Sequence, residues 1–105
     1  MNDKSFQFAA NADDIPVGKT LALEFDGRHV LLCHTKEGFF AIENLCSHGH
    51  AHLSAGKLRG PRIICPLHGG SFDVRDGCVK GKPATVDLPT YPVRVVDERI
   101  EIQIA

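Results

Sequence analysis

The chain has 105 residues, 43% of them hydrophobic and 24% charged, with a formal net charge of −1. That length fits one domain, residues 1–105, and so small a domain gains from a metal or cofactor that ties its loops together. The near-neutral balance, with Lys and Arg read as scattered along the chain, offers nucleic acid no basic face.

The N-terminal stretch MNDKSFQFAANADD is polar and broken by charges. It holds no apolar run suited to a signal peptide, and no segment approaches the length of a membrane span. The expectation is a soluble, cytoplasmic protein, in which four cysteines serve as metal ligands or thiols rather than as disulfides.

The first expected strand is Thr20–Phe25, with Leu21, Leu23 and Phe25 on one face. Asp26-Gly27 is a hairpin turn signal. Residues 29–35 (HVLLCHT) return, Lys36-Glu37-Gly38 turns again, and residues 39–45 (FFAIENL) form a third strand, which completes a meander. Residues 46–70 are rich in Gly, His and Pro and read as loops, with Arg62-Ile63-Ile64 ending a strand. Residues 71–74 are short and extended, and Arg75-Asp76-Gly77 turns the chain. The last hairpin pairs 93–96 with 99–104 around Asp97-Glu98, and Ile100, Ile102 and Ile104 alternate cleanly. No window carries a helical stripe. Short, evenly spaced strands predict an all-β antiparallel sandwich or barrel.

The metal-type side chains concentrate in the loop region. Cys46-Ser47-His48 is a Cys-x-His clip and Cys65-Pro66-Leu67-His68 a Cys-x-x-His clip, with sixteen residues between His48 and Cys65. Each follows a predicted strand end, so two loops at one end of the scaffold can face each other. A structural zinc accepts two thiolates and two imidazoles, which makes a zinc-stabilised interaction module one reading. Zinc modules, however, usually pair like with like. A mixed clip in both loops suits a dinuclear site better, with two cysteines on one iron and two histidines on the other, the Rieske [2Fe–2S] arrangement.

On these residues the chain resembles the small soluble Rieske ferredoxins of bacterial aromatic ring-hydroxylating dioxygenase systems. The likeness rests on Cys46-x-His48, the gap, Cys65-x-x-His68-Gly69, the HGGSFD run and the closing YPVRV hairpin. It implies a Rieske-type β sandwich whose cluster-binding loops span about 45–72. It implies one [2Fe–2S] cluster held by Cys46, His48, Cys65 and His68, with the imidazole end exposed and the sulfur side buried. It also implies a monomeric electron carrier, not an enzyme, that serves aromatic hydrocarbon catabolism. Its partners are a flavoprotein reductase that oxidises NADH or NADPH and a terminal oxygenase, each docked transiently, with no nucleic acid and no membrane. A diiron monooxygenase as partner, or the small subunit of a nitrite reductase, are the alternatives within the fold.

High-potential members of the family carry a disulfide at positions matching Ala51 and Leu67, and Ser and Tyr hydroxyls at positions matching Gly70 and Phe72. None of these is present here. Fewer hydrogen-bond donors place the potential at the low end of the Rieske range, around −150 mV.

His50 and His52 are non-ligands, and His29 and His34 are surface residues of a strand. Cys33 is a buried hydrophobe and Cys78 a plain thiol. Gly69 and Gly70 let backbone N–H groups approach the cluster sulfurs. Residues 88–92 (LPTYP) resemble the proline loop that covers the cluster in the family, the plain alternative being a strand entry. Asp73 caps the turn after Phe72. There is no nucleophile–base pair, phosphate loop or nucleotide fingerprint.

Overall fold

The computed structural model describes residues 6–46, 51–67, 69–82, 84 and 86–104. Eleven strands run through them: β1 (Phe6–Asn11), β2 (Thr20–Phe25), β3 (Arg28–Thr35), β4 (Gly38–Glu43), β5 (Lys57–Arg59), β6 (Arg62–Ile64), β7 (Ser71–Asp73), β8 (Val79–Gly81), β9 (Thr90–Tyr91), β10 (Val93–Val96) and β11 (Arg99–Gln103). All pairings are antiparallel and make three sheets, ordered β1-β11-β10, β2-β3-β4-β9 and β5-β6-β7-β8. The all-β antiparallel expectation is met, and the helical content among the described residues is two single 3-10 turns, Ala12–Asp14 and Leu53–Ala55.

The meander forms as expected. In β2 the half-buried Leu21, Leu23 and Phe25 alternate with the exposed Ala22 and Glu24. Asp26 and Gly27 both take positive φ (49° and 82°), the paired left-handed geometry of a two-residue hairpin turn. The next turn is shorter than expected: Gly38 already pairs with Thr35, leaving Lys36 and Glu37 as the loop.

β3 departs from simple alternation, and its surroundings explain why. Val30, Leu31, Leu32 and Cys33 are all fully buried. Val30 and Leu32 join Ala10, Ala41, Ile100, Ile102 and Ile104 in one core, against the β1-β11-β10 sheet. Leu31 and Cys33 face a second core with Ile42, Leu53, Ile63, Phe72, Val74 and Leu88. A strand covered on both faces reads as a continuous apolar run.

Several elements differ from the sequence expectation. β1 lies in the stretch read only as polar, because Phe6 and Phe8 lie beneath the guanidinium groups of Arg94 and Arg99 (4.3 and 4.5 Å) instead of entering the core. The region 46–70, read as loops apart from the strand end at 62–64, also contains β5, which forms a hairpin with the expected β6, Leu58 pairing with Ile63 across the Gly60-Pro61 turn. Three-residue strands with one inward side chain each are too short to show a period. The third strand ends at Glu43, two residues before the expected Leu45.

The cations are not scattered. Six of the twelve lie in residues 57–82 with two of the thirteen acids, a local charge of +4 in a chain of −1. Lys57, Arg59, Arg62 and Lys80 are exposed on the β5–β8 sheet. Arg59 pairs across the hairpin with Arg62, and Arg62 with Asp73. Cross-strand neighbours of this kind are invisible in linear spacing.

Candidate metal centre

Cys46 and Cys65 lie at the mouths of two loops built alike. The Cys46 amide donates to the Ala51 carbonyl (2.8 Å), and the Cys65 amide donates to the Gly70 carbonyl (2.7 Å), each bond spanning five residues. Below the first neck, Leu45 bridges His52 and the Leu53 amide donates to the Asn44 carbonyl (2.6 Å). Below the second, Ile64 pairs with Ser71. Both cysteines are thus held by their own backbone at the last paired position before a loop.

The two thiols are 3% and 4% exposed and belong to one core with Leu53, Ile63 and Phe72. None of the described cysteines is in a disulfide. Two buried cysteines, each on its own hairpin neck and both in one core, fit a soft metal centre that requires thiolates and dry surroundings. His48 and His50, with Gly49, and His68 lie outside the described residues. Among the described residues no three metal-type side chains converge.

Asn44 is a residue that the sequence reading passed over. It is buried, its Oδ1 accepts the Ser54 amide (2.9 Å), its Nδ2 donates to Ser54 Oγ (3.4 Å), and its amide donates to the His29 carbonyl (2.8 Å). Asn44 therefore pins both sides of the first neck to β3. The available signal was a neutral polar residue in the FFAIENL run, next to Cys46.

The histidines outside the clips are better placed than surface residues. His34 Nδ1 lies 2.6 Å from the Ile15 carbonyl oxygen, and its ring stacks on Phe39 (3.9 Å). His29 is half-buried, with its ring edge-on to His52 at 5.5 Å. Cys33 is fully buried as expected, and desolvation pushes its thiol up to about 12. Cys78 is half-buried, its amide on Asp76 Oδ1 (2.9 Å), and a hydrogen bond to Asp76 raises its thiol.

The two glycines at the second loop each meet a backbone or packing demand. Gly69 takes a φ of +79° with open space around it, so the left-handed backbone selects it. A Cβ on Gly70 would crowd the Ala84 side chain at 3.1 Å. Ala84 and Leu88 both pack into the core that holds the two thiols. Residues 88–92 begin there and then enter the edge of the meander sheet, where Thr90 and Tyr91 pair with Ile42 and Ala41.

Asp73 caps its turn as expected. Its Oδ1 accepts the Arg75 amide (2.9 Å) and Nε (3.0 Å), and its Oδ2 accepts the second guanidinium arm (2.7 Å). Arg75 holds the Asp73 carboxyl below the usual carboxylate range and extends to Glu37 (3.3 Å). The pair ties the turn after β7 to the β3–β4 turn.

Gly70 and Phe72, the two positions at which the resemblance matched hydroxyls of high-potential members, offer none here, and Phe72 is fully buried. Ala51 is half-buried and Leu67 exposed, and neither offers a thiol.

Comparison with known proteins agrees with this geometry. The family model described as a Rieske [2Fe-2S] domain matches residues 5–92. A ferredoxin component of naphthalene 1,2-dioxygenase/salicylate 5-hydroxylase systems from a Ralstonia species is 40% identical over 95 residues, covering 90% of this chain and 91% of that one. The ferredoxin of carbazole 1,9a-dioxygenase from Nocardioides aromaticivorans IC177 superposes with a TM-score of 0.91 at 32% identity, covering 95% of this chain and 98% of that one. A chain from a complex of reduced oxygenase and oxidized ferredoxin in carbazole 1,9a-dioxygenase superposes with a TM-score of 0.90 at 31% identity, covering 93% and 92%.

Proposed function

The chain belongs to the Rieske [2Fe-2S] domain family, and from that premise we propose that it is the ferredoxin of an aromatic ring-hydroxylating dioxygenase system. It carries one electron at a time from an NAD(P)H-dependent flavoprotein reductase to the terminal oxygenase, and catalyses nothing alone. The observation that carries this reading is the pair of buried thiols, Cys46 and Cys65, each held by an amide-to-carbonyl bond across a five-residue neck.

When bound, a [2Fe–2S] cluster supplies a centre that gains and loses a single electron. Cys46 and Cys65 would hold one iron, and His48 and His68 the other. Leu53, Ile63 and Phe72 keep water from the thiol side. His52 is left outside the ligand set: its backbone closes the first neck with Leu45, and its ring packs against His29. The lack of hydroxyls at Gly70 and Phe72 favours a potential near the low end of the family, around −150 mV. The reading includes a monomer that works in the cytoplasm and docks through small, transient interfaces.

Two measurements test the proposal. The reduced protein should show the EPR signature of mixed histidine and cysteine ligation. Product formation by a naphthalene-type terminal oxygenase, supplied with its reductase and NADH, should depend on added chain. A colourless zinc protein, or an all-cysteine EPR spectrum, would reject the cluster assignment; turnover indifferent to the chain would reject its place in the system.

A further inference from the structure

The sheet that leads into the second metal loop carries the chain's positive charge. Arg59, Arg62, Arg75 and Lys80 line one open groove of about 500 Å3. Its acid, Asp73, is buried and paired with Arg75 (2.7 Å), which also reaches Glu37 (3.3 Å). Arg59, Arg62 and Lys80 make no salt bridge among the described residues. Outside residues 57–82 the chain holds six cations and eleven acids, so that segment carries +4 and the remainder −5.

The groove is close to the metal centre. Arg62 and Cys65 are three residues apart on the β6 path, a span of roughly 10 Å at the rise of a strand. A protein seated on the groove therefore sits beside the second metal loop.

We infer that this groove docks an acidic surface of the electron donor, the flavoprotein reductase. The inference rests on the proposed function and names which partner the basic face serves. The sign of the charge selects the donor. A carrier that has taken up one electron is one unit more negative, so its attraction for an acidic partner weakens on reduction. A donor needs that order of affinities, capturing the oxidised carrier and releasing the reduced one. An acceptor needs the reverse. Exposed cations on a docking face act chiefly on encounter rate and salt dependence.

The test uses the cluster-loaded chain and the reductase of a naphthalene 1,2-dioxygenase system, with the dissociation constant measured by calorimetry on the oxidised proteins. Binding should weaken about tenfold from low to near-physiological ionic strength. The double reversal Arg59→Glu with Arg62→Glu should weaken it about tenfold at low salt and flatten the salt dependence. The control Arg99→Glu, on the β1-β11-β10 sheet, should change it less than about twofold. Saturation with reductase should also lower the cluster's midpoint potential, by about 59 mV if the oxidised carrier binds tenfold more tightly. Should the double reversal fail to hold its cluster, Arg59→Gln with Lys80→Gln makes the same comparison with smaller disturbance.

Affinity indifferent to patch reversal and to salt would overturn the inference. So would equal weakening by Arg99→Glu, or a potential that rises on binding. Turnover that depends on the chain alongside patch-independent reductase binding sinks this inference alone. Patch-dependent binding without oxygenase turnover sinks instead the destination assigned to the electron.

Discussion

Gly56 lies between the 3-10 turn Leu53–Ala55 and β5, at the ordinary φ of −91°. Its hydrogen faces the second metal loop: a Cβ there would overlap the carbonyl oxygen of Ile64 and press on that of Leu53 at 3.3 Å. Ile64 pairs with Lys57 on one side and Ser71 on the other, and Cys65 follows it. Gly56→Ala can be accommodated only by moving β5 off β6 or by moving Ile64 and, with it, Cys65. Overpacking of this kind costs about 1–3 kcal/mol, and a broken ladder bond adds about 1 kcal/mol. The sum, about 2–4 kcal/mol, lowers the melting point of a domain this size by roughly 10–20 °C. Cluster content per chain should fall with it. Gly60→Ala is the control, since Gly60 has a φ of +58° and open space around it. It should pay only the left-handed backbone cost of about 1–2 kcal/mol and keep its cluster. Melting by circular dichroism, with cluster content by visible absorbance, reads both. A Gly56→Ala protein that melts within a few degrees of wild type with full cluster would refute the steric account, as would a Gly60→Ala protein that is damaged more.

Three further outcomes are expected. His68→Ala should abolish the visible and EPR signals of the cluster, while His52→Ala leaves them intact; loss of colour in the second would overturn the ligand choice. Cys33→Ala should leave those signals unchanged at a cost of about 1 kcal/mol, and iodoacetamide at pH 8 should spare Cys33, whose thiol is pushed up to about 12; rapid labelling of Cys33 in the folded protein would contradict its burial. The Asp73 carboxyl is depressed by Arg75, so its stabilisation is complete above the ordinary unfolded value of about 3.9 and disappears as pH falls through the lower folded value. Urea denaturation should show wild type losing its advantage over Asp73→Asn below about pH 4, and a constant gap down to pH 2 would remove Asp73 from the acid response.

What could be read from the chain, and what could not, follows from how each element is covered. The β2–β3 hairpin announced itself through Asp26-Gly27 and an alternating strand. The β10–β11 hairpin did so through Ile100 and Ile102, although its turn, Asp97 and Glu98, puts two non-glycine residues at positive φ (53° and 65°). β1 stayed hidden because its aromatic side chains lie beneath arginines on the outside while the small Ala10 is buried. β6 was legible in Arg62-Ile63-Ile64, but its partner β5 stayed hidden because three residues with one inward side chain cannot display a period. At the metal centre, residue type and spacing pointed to Cys46 and Cys65, but not to Asn44, whose importance is the distance it spans to Ser54. The basic groove depends on Arg59 and Arg62 facing each other across a turn, and only the pairing register reveals that.

β3 serves two interiors at once. Its Val30 and Leu32 belong to the wall shared with the terminal strands, its Leu31 and Cys33 to the wall shared with the metal loops. With one strand as partition between both compartments, no hinge can run between them without opening each to water. The molecule therefore meets its partners as a rigid piece. In the proposed role, exchanging the reductase for the oxygenase then turns the whole body rather than one part of it against another.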